Sequence, residues 1–224
     1  MQTTVIITAG GIGKRMGGDL PKQFLLLGGK PVLLHTLERL HSILPDAQLI
    51  ITLPSDWQSY WKQLLLDFNV TISHEIVDGG VERFHSVKNA LLLAKGDYVF
   101  VHDAVRPLFS EATIQRCLYA LETNEAVVPV VPVKESLRET NGTESNAVDR
   151  SRFVLVQTPQ CFQRATLWRA YEQSFDITFT DDASVVERKG GKIVLVNGNE
   201  ENIKLTSPSD MQLAEILLKG IQDC

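Results

Sequence analysis

Three cysteines, at positions 117, 161 and 224, are too few and too scattered for a disulfide framework or a zinc cage. No CxxC pair occurs and the number is odd, so they read as small apolar fillers or free thiols in a reducing compartment. No apolar run reaches the roughly 20 residues of a membrane span. Met1–Thr4 is uncharged in its side chains and leads straight into a β-branched run, so no secretory leader is expected. Positive charge is scarce too. Lys and Arg number 22 against 27 Asp and Glu, a net charge of -5, which argues against a dedicated nucleic-acid binder. A few local cations still suffice to hold a small anion. These absences predict a cytoplasmic protein with neither nucleic acid nor membrane as partner. What is present, 44% apolar and 22% charged residues without repeats or low-complexity linkers, is the composition of a globular chain. The length is read as one domain over 1–224.

Apolar runs and helical periodicities alternate along most of the chain. Val5–Thr8, Gln48–Leu53, Val70–Val77, Tyr98–Val101, Ala126–Val131 and Ile193–Val196 read as strands. Pro31–Ile43, Asp56–Asp67, Glu82–Ala94, a segment capped by Ser110 and running to Leu121, Arg164–Ser174, Thr180–Lys189 and a helix opening at Ser207–Pro208 read as helices. Near-continuous apolar strands between helices predict an α/β fold, with a mostly parallel, Rossmann-like sheet covered by helices on both faces. The rhythm breaks between Pro132 and Pro159. Lys134–Thr140, the turn pair Asn141–Gly142, and short strands at Asn146–Arg150 and Phe153–Gln157 predict a projecting β-arm at about 133–158. Such an arm needs a partner surface, because it cannot bury both faces alone.

The first strand ends in Ala9-Gly10-Gly11-Ile12-Gly13-Lys14-Arg15-Met16. A strand, a Gly-rich loop and then a helix is where α/β sheets bind phosphates, because bare backbone N–H groups approach the ligand closely. The dinucleotide fingerprint fails at its third glycine, where Met16 stands. The P-loop fails too, since Arg15 replaces the required Ser or Thr. What remains is a Gly-rich turn flanked by two cations, Arg15 and Lys22, the latter fixed behind Pro21. Fixed cations suit the charge that develops when a nucleoside triphosphate gives up pyrophosphate. Gly79-Gly80, between a strand and a helix, suits a base or ribose lying against the backbone, with Ser86 one turn onward. Asp103 ends an apolar strand, where it serves equally as a magnesium ligand or as a turn residue. His102 beside it reads as structural. Arg106 suits bidentate binding of an acceptor phosphate or hydroxyls. Thr180 suits an N-cap that also meets a ligand anion.

The Gly-Gly-x-Gly-x-Arg-Met pattern followed by Pro21-Lys22 resembles the signature of sugar-nucleotide pyrophosphorylases. Within that group the chain is similar to the 2-C-methyl-D-erythritol 4-phosphate cytidylyltransferase family. The likeness recurs at Pro21-Lys22-Gln23-Phe24, at Gly79-Gly80-x-Glu82-Arg83-x-x-Ser86-Val87, and at Val101-His102-Asp103-Ala104-x-Arg106-Pro107. It continues at Val148-Asp149-Arg150, Gln157-Thr158-Pro159-Gln160, Thr180-Asp181-Asp182-Ala183-Ser184 and Asn202-Ile203-Lys204. The resemblance implies a nucleotidyltransferase that moves CMP from CTP to a sugar-alcohol phosphate in isoprenoid biosynthesis. It implies Arg15 and Lys22 as catalytic cations. CTP would be held by Thr8, Ala9, Gly10, Gly11, Gly13, Gly79, Gly80, Ser86, Asp103 and Ala104. The acceptor would be held by Asp103, Arg106, Ser136, Arg150, Thr180 and Lys204. It also implies Mg²⁺ on Asp103, and a homodimer whose arm carries Arg150 to the neighbour's site. Ser136 stands where many relatives have Thr.

One departure bears on the acceptor. Many relatives open the loop Pro-Ala-Ala-Gly, whereas Thr8-Ala9-Gly10-Gly11 also resembles ribitol 5-phosphate cytidylyltransferases. The motifs around Glu82, Gln157 and Thr180 look more like the erythritol enzyme. Fold alone does not establish activity, so a non-catalytic nucleotide-binding protein is the alternative of another class.

Overall fold

The computed structural model describes residues 2–11 and 20–222. β1 (Thr3–Thr8) leads, past a 3-10 turn at Lys22–Phe24, to a small hairpin of β2 (Leu26–Leu27) and β3 (Lys30–Pro31). Then α1 (Val32–Ile43), β4 (Gln48–Leu53), α2 (Ser55–Asp67), β5 (Glu75–Asp78), α3 (Arg83–Leu91), β6 (Tyr98–Asp103), α4 (Glu111–Leu121) and β7 (Ala126–Pro132) alternate regularly. β8 (Leu137–Thr140) and β9 (Ser145–Val148) form a separate hairpin, followed by β10 (Val154–Val156) and β11 (Gln160–Gln163). The chain closes with α5 (Arg164–Tyr171), α6 (Asp182–Arg188), β12 (Val194–Asn197) and α7 (Pro208–Gln222).

β6, β1, β4 and β5 pair in parallel, in that order. β1 shows why the centre of its sequence, Val5–Ile7, is an unbroken apolar run. Val5 and Ile7 pack with Leu33, Leu37, Trp61 and Ile114 of α1, α2 and α4. Ile6, pointing the other way, packs with Phe84, Val87, Leu167 and Val186 of α3, α5 and α6. A strand covered on both faces has no polar side to show. A third cluster joins Leu27, Val32, Val105, Leu108, Leu205 and Ala214, and so seats α7 against the hairpin and the segment after β6. Among the described residues no helix is long and apolar enough to cross a membrane.

The expected architecture holds, with local corrections, among them α5, which ends at Tyr171 rather than Ser174. The run expected from Val70 joins the ladder only at Glu75, where β5 pairs with Ile50–Leu53. Its leading residues pack instead: His74 bonds to Trp61 and to the Ile72 carbonyl. α3 ends at Leu91 rather than Ala94. Phe153–Gln157 is not part of the free arm, because β10 pairs antiparallel with Val130–Pro132 of β7. β11, not expected at all, lies between β6 and β7 and pairs antiparallel with both. β10 and β11 thus form one run alongside β7, interrupted at Gln157–Pro159. The projecting arm proper is the β8–β9 hairpin, turned by Asn141 and by Gly142 at φ 100°. Cys117 and Cys161 are buried free thiols, Cys161 within β11. Cys224 lies outside the described residues.

Candidate active site

The carboxyl ends of β1 and β6 lie side by side, with Thr8 in register with Asp103. Past β1 the peptide of Ala9 is held from both sides. Its N–H donates to the Thr52 carbonyl (3.1 Å), and its carbonyl accepts from Nε2 of Gln23 (2.7 Å). Gln23 is buried in the 3-10 turn that also carries Lys22. This clamp sets Gly10 and Gly11 at the rim of a cavity of about 420 Å³. Opposite them, the Gly80 N–H donates to Ser86 Oγ (2.9 Å), and Ser86 Oγ donates to the Glu82 carbonyl (3.3 Å). A Cβ on Gly80 would fall 2.2 Å from Cβ of His85, so only glycine fits this bend.

The cavity gathers Thr8, Ala9, Gly10, Gly11, Lys22, Gly80, Ser86, Asp103, Ala104 and Lys204 of the expected set. Gly79 stands just behind, its N–H on the Leu53 carbonyl at 2.9 Å. Gly13 and Arg15 lie outside the described residues.

Asp103 is the electrostatic centre. Lys204 Nζ stands 2.8 Å from its carboxylate, Arg83 Nε 3.5 Å and Arg106 Nε 3.7 Å. Burial opposes its charge, but Arg83, Lys204 and Arg106 outweigh burial and hold the carboxyl well below the usual range. Thr8 Oγ1 also donates to it, at 3.3 Å. Its backbone N–H donates to Thr158 Oγ1 (3.1 Å), which fixes the strand end. Arg106 is not among the lining residues. Its Nη1 donates to the Asn202 carbonyl (2.7 Å) and so braces the loop that delivers Lys204. His102 is fully buried, with Nε2 at the Arg106 carbonyl (3.0 Å) and Nδ1 at Thr158 Oγ1 (3.0 Å). Burial pushes its pKa down to about 4. Both nitrogens are engaged, so the histidine supports the strand end, as its position in the sequence suggested.

Ser136, Arg150 and Thr180 do not line the cavity and are exposed. Arg150 Nη1 donates to the Lys134 carbonyl at the base of the arm. Thr180 is not the N-cap expected of it. α6 is capped by Asp181, whose carboxylate accepts from Ser184 N–H (2.9 Å) in a capping box, so the helix starts one residue later.

Sequence reasoning assigned no role to Gln23, Thr158 or Arg83. Arg83 was open to detection. It opens α3, where the helix dipole disfavours a cation, so an arginine there signals a specific anionic partner. It has two: Asp103, and the fully buried Asp182 at 2.7 Å.

A larger hollow of about 720 Å³, walled by α1, α7 and residues 107–111, mixes acids and bases that partly pair, as Lys30 does with Glu38 at 2.5 Å. No main-sheet strand among the described residues lines it, so the smaller cavity at the strand ends is the candidate site.

The chain matches the family model described as IspD, 2-C-methyl-D-erythritol 4-phosphate cytidylyltransferase, over residues 3–220. It is 49% identical over 219 residues to the 2-C-methyl-D-erythritol 4-phosphate cytidylyltransferase of Phocaeicola vulgatus, covering 97% of this chain and 100% of that protein. The crystal structure of the Thermus thermophilus protein of the same name superposes with a TM-score of 0.81 at 32% identity, covering 98% of this chain and 100% of that one. The bifunctional IspDF of Campylobacter jejuni gives a TM-score of 0.82 at 30% identity, over 95% of this chain and 54% of that one. The likeness runs from the first strand into the last helix and takes in the whole described cavity; the chain belongs to the 2-C-methyl-D-erythritol 4-phosphate cytidylyltransferase family.

Proposed function

We propose that this chain transfers CMP from CTP to 2-C-methyl-D-erythritol 4-phosphate, the reaction that gives its family its name. Its products are 4-diphosphocytidyl-2-C-methyl-D-erythritol and pyrophosphate. The observation that carries the reading is the cavity at the ends of β1 and β6, lined by glycine backbone and Lys22 and centred on one ionised carboxylate that Lys204 and Arg83 flank. That is a site for a polyanion. An oxygen of the acceptor phosphate attacks the α-phosphorus of CTP in line, the bond from that phosphorus to the β-phosphate oxygen breaks, and pyrophosphate leaves. A phosphate monoester is largely dianionic at neutral pH, so it needs no strong base. A buried, neutral His102 agrees with that chemistry.

In this scheme Arg15 and Lys22 stabilise charge on the transferring phosphate and on pyrophosphate. Thr8, Ala9, Gly10, Gly11 and Gly13 cradle the triphosphate. Gly79, Gly80, Ser86 and Ala104 seat the cytidine. Lys204, Arg106 and Thr180 attract the acceptor, with Ser136 and Arg150 supplied across a homodimer. The exposed run Phe153, Val154, Leu155 and Val156 beside the arm supports that dimer. Asp103 has the donor chemistry for Mg²⁺, a hard carboxylate kept ionised, though the ion would have to take the place of Lys204 Nζ, now 2.8 Å from it. Among the described residues no cluster of three or more His, Cys, Asp or Glu side chains could cage an ion, so the nucleotide phosphates would complete its shell. The ion would neutralise charge on the triphosphate. We place the protein in the cytoplasm, free of membrane and nucleic acid.

The test is pyrophosphate release from CTP with 2-C-methyl-D-erythritol 4-phosphate and, in parallel, with ribitol 5-phosphate. Turnover with the first and little with the second is the expected result. The reverse reassigns the acceptor. CTP binding without turnover on either makes the chain a nucleotide-binding protein.

A further inference from the structure

Asp182 is a carboxylate with no exposed surface, placed at the first turn of α6. A buried charge is costly unless it is paired and hydrogen-bonded. Here both oxygens are taken: Tyr171 Oη donates to Oδ1 at 2.6 Å, and Arg83 Nη2 donates to Oδ2 at 2.7 Å. Burial and the neighbouring Asp182 push the Tyr171 phenol up, so it stays a donor. The Tyr171 ring stacks on Phe84 at 4.7 Å, which holds the residue after Arg83 as well. Arg83 then reaches from this anchor to the cavity wall, where its Nε is 3.5 Å from Asp103. Burial opposes its charge, but Asp182 and Asp103 more than restore it. The strong contact of the guanidinium therefore goes to Asp182 and the looser one to Asp103.

We infer that Asp182 is a positioning residue that acts through Arg83: the chain Tyr171–Asp182–Arg83 holds the guanidinium at the cavity wall and keeps it from closing fully onto Asp103 Oδ1, so that the cation stays turned to the nucleotide phosphates. The inference rests on the reading of this cavity as the CTP site. Without the anchor, Arg83 closes onto Asp103 and its charge is neutralised there instead of meeting the anionic ligand.

The experiment is a double-mutant cycle of D182N, R83Q and the pair, with D103N as reference, read as kcat and KM for CTP. D182N is expected to raise KM for CTP about tenfold. The double variant, which removes both charges together, is expected to be no worse than R83Q alone. Additive losses in the double variant, or a lower kcat with KM unchanged in D182N, overturn the inference, because a purely structural residue reduces active protein without altering its affinity. If D182N does not fold, Tyr171→Phe carries the test. It removes one hydrogen bond from Asp182 and keeps both charges, so KM for CTP rises about threefold, and an unchanged KM overturns the inference. Wild-type kinetics in D103N would instead sink the reading of the cavity itself.

Discussion

On one side of β6, strands β1 and β4 are buried on both faces, and their carboxyl ends assemble the glycine cradle, Lys22, Asp103 and the Gly80–Ser86 bend from a single chain. On the other side, β11, β7 and β10 mix directions, Phe153–Val156 faces solvent, and the β8–β9 hairpin touches neither helix layer in a cluster of core residues. The first half lines a cavity with glycine backbone and charged side chains. The second exposes the apolar surface that the first hides, and carries Ser136 and Arg150 away from the cavity of its own chain. The comparison separates two surfaces: a cavity in the half built by local βαβ units, and an exposed apolar run with a projecting hairpin in the other.

The sharpest way to break that division is at the half that lines the cavity. Lys22→Ala should lower kcat by roughly 10²–10³, the usual cost of removing one fixed group that stabilises transition-state charge. CTP affinity measured by calorimetry should change less than kcat. Near-normal turnover would mean the chemistry is not driven from this wall. At the other half, Leu155→Glu places a charge in the exposed run and should shift the sedimentation mass from dimer to monomer. If Arg150 and Ser136 serve a neighbour, turnover falls on the order of 10²-fold with acceptor misplacement, while CTP still binds. A fully active monomer would show the second half to be dispensable.

A smaller effect probes the bend at Gly80 and Ser86. Gly80→Ala must push apart Cβ atoms otherwise 2.2 Å from one another. About 1–3 kcal/mol of overpacking is expected in urea denaturation. Loss of the Gly80–Ser86 bond should weaken CTP binding in the same variant. Unchanged stability would mean that the α3 start yields easily.

The same two halves differ in how well the sequence exposes them. The parallel half follows from local rules. β1, β4 and β6 are read from runs of β-branched and apolar residues, the α4 start from Ser110, and the site from glycines and charges at strand ends. The other half depends on pairing between distant segments. Gln160–Gln163 has only Cys161 and Phe162 as apolar residues, too short a signal for a strand, yet both are fully buried because β6 and β7 flank them. Phe153–Val156 shows a strand pattern but not which sheet receives it. Thr180 was misplaced by one residue, because Asp181 with Ser184 makes the better cap. Arg83 and Asp182 stand 99 positions apart, so the link between them is invisible in the sequence, though the misfit of a cation at a helix start was there to see.

Outside the cavity lining, the smallest expected effect separates plain stability from function. Trp61 Nε1 donates to His74 Nε2 at 3.1 Å, and His74 Nδ1 stands 2.8 Å from the Ile72 carbonyl. The Trp61 bond requires a lone pair on Nε2, so Nδ1 carries the proton and donates to Ile72, and the ring is neutral. Burial lowers the His74 pKa from its ordinary value of 6.5, against the opposing effect of the Ile72 bond. The unfolded chain then binds a proton more readily than the folded one, so stability rises with pH across the window between the depressed and the ordinary value. Stability is full above about 6.5 and falls as pH drops below it. The loss is about 1 kcal/mol, the scale of one hydrogen bond. His74→Gln keeps an acceptor for Trp61 but does not titrate. Its urea midpoint should fall less steeply than that of the wild type between pH 7.5 and 5, with the KM for CTP equal in both. Parallel pH profiles would remove His74 from the account. A change in KM would show that the α2 side of the sheet is coupled to the site after all.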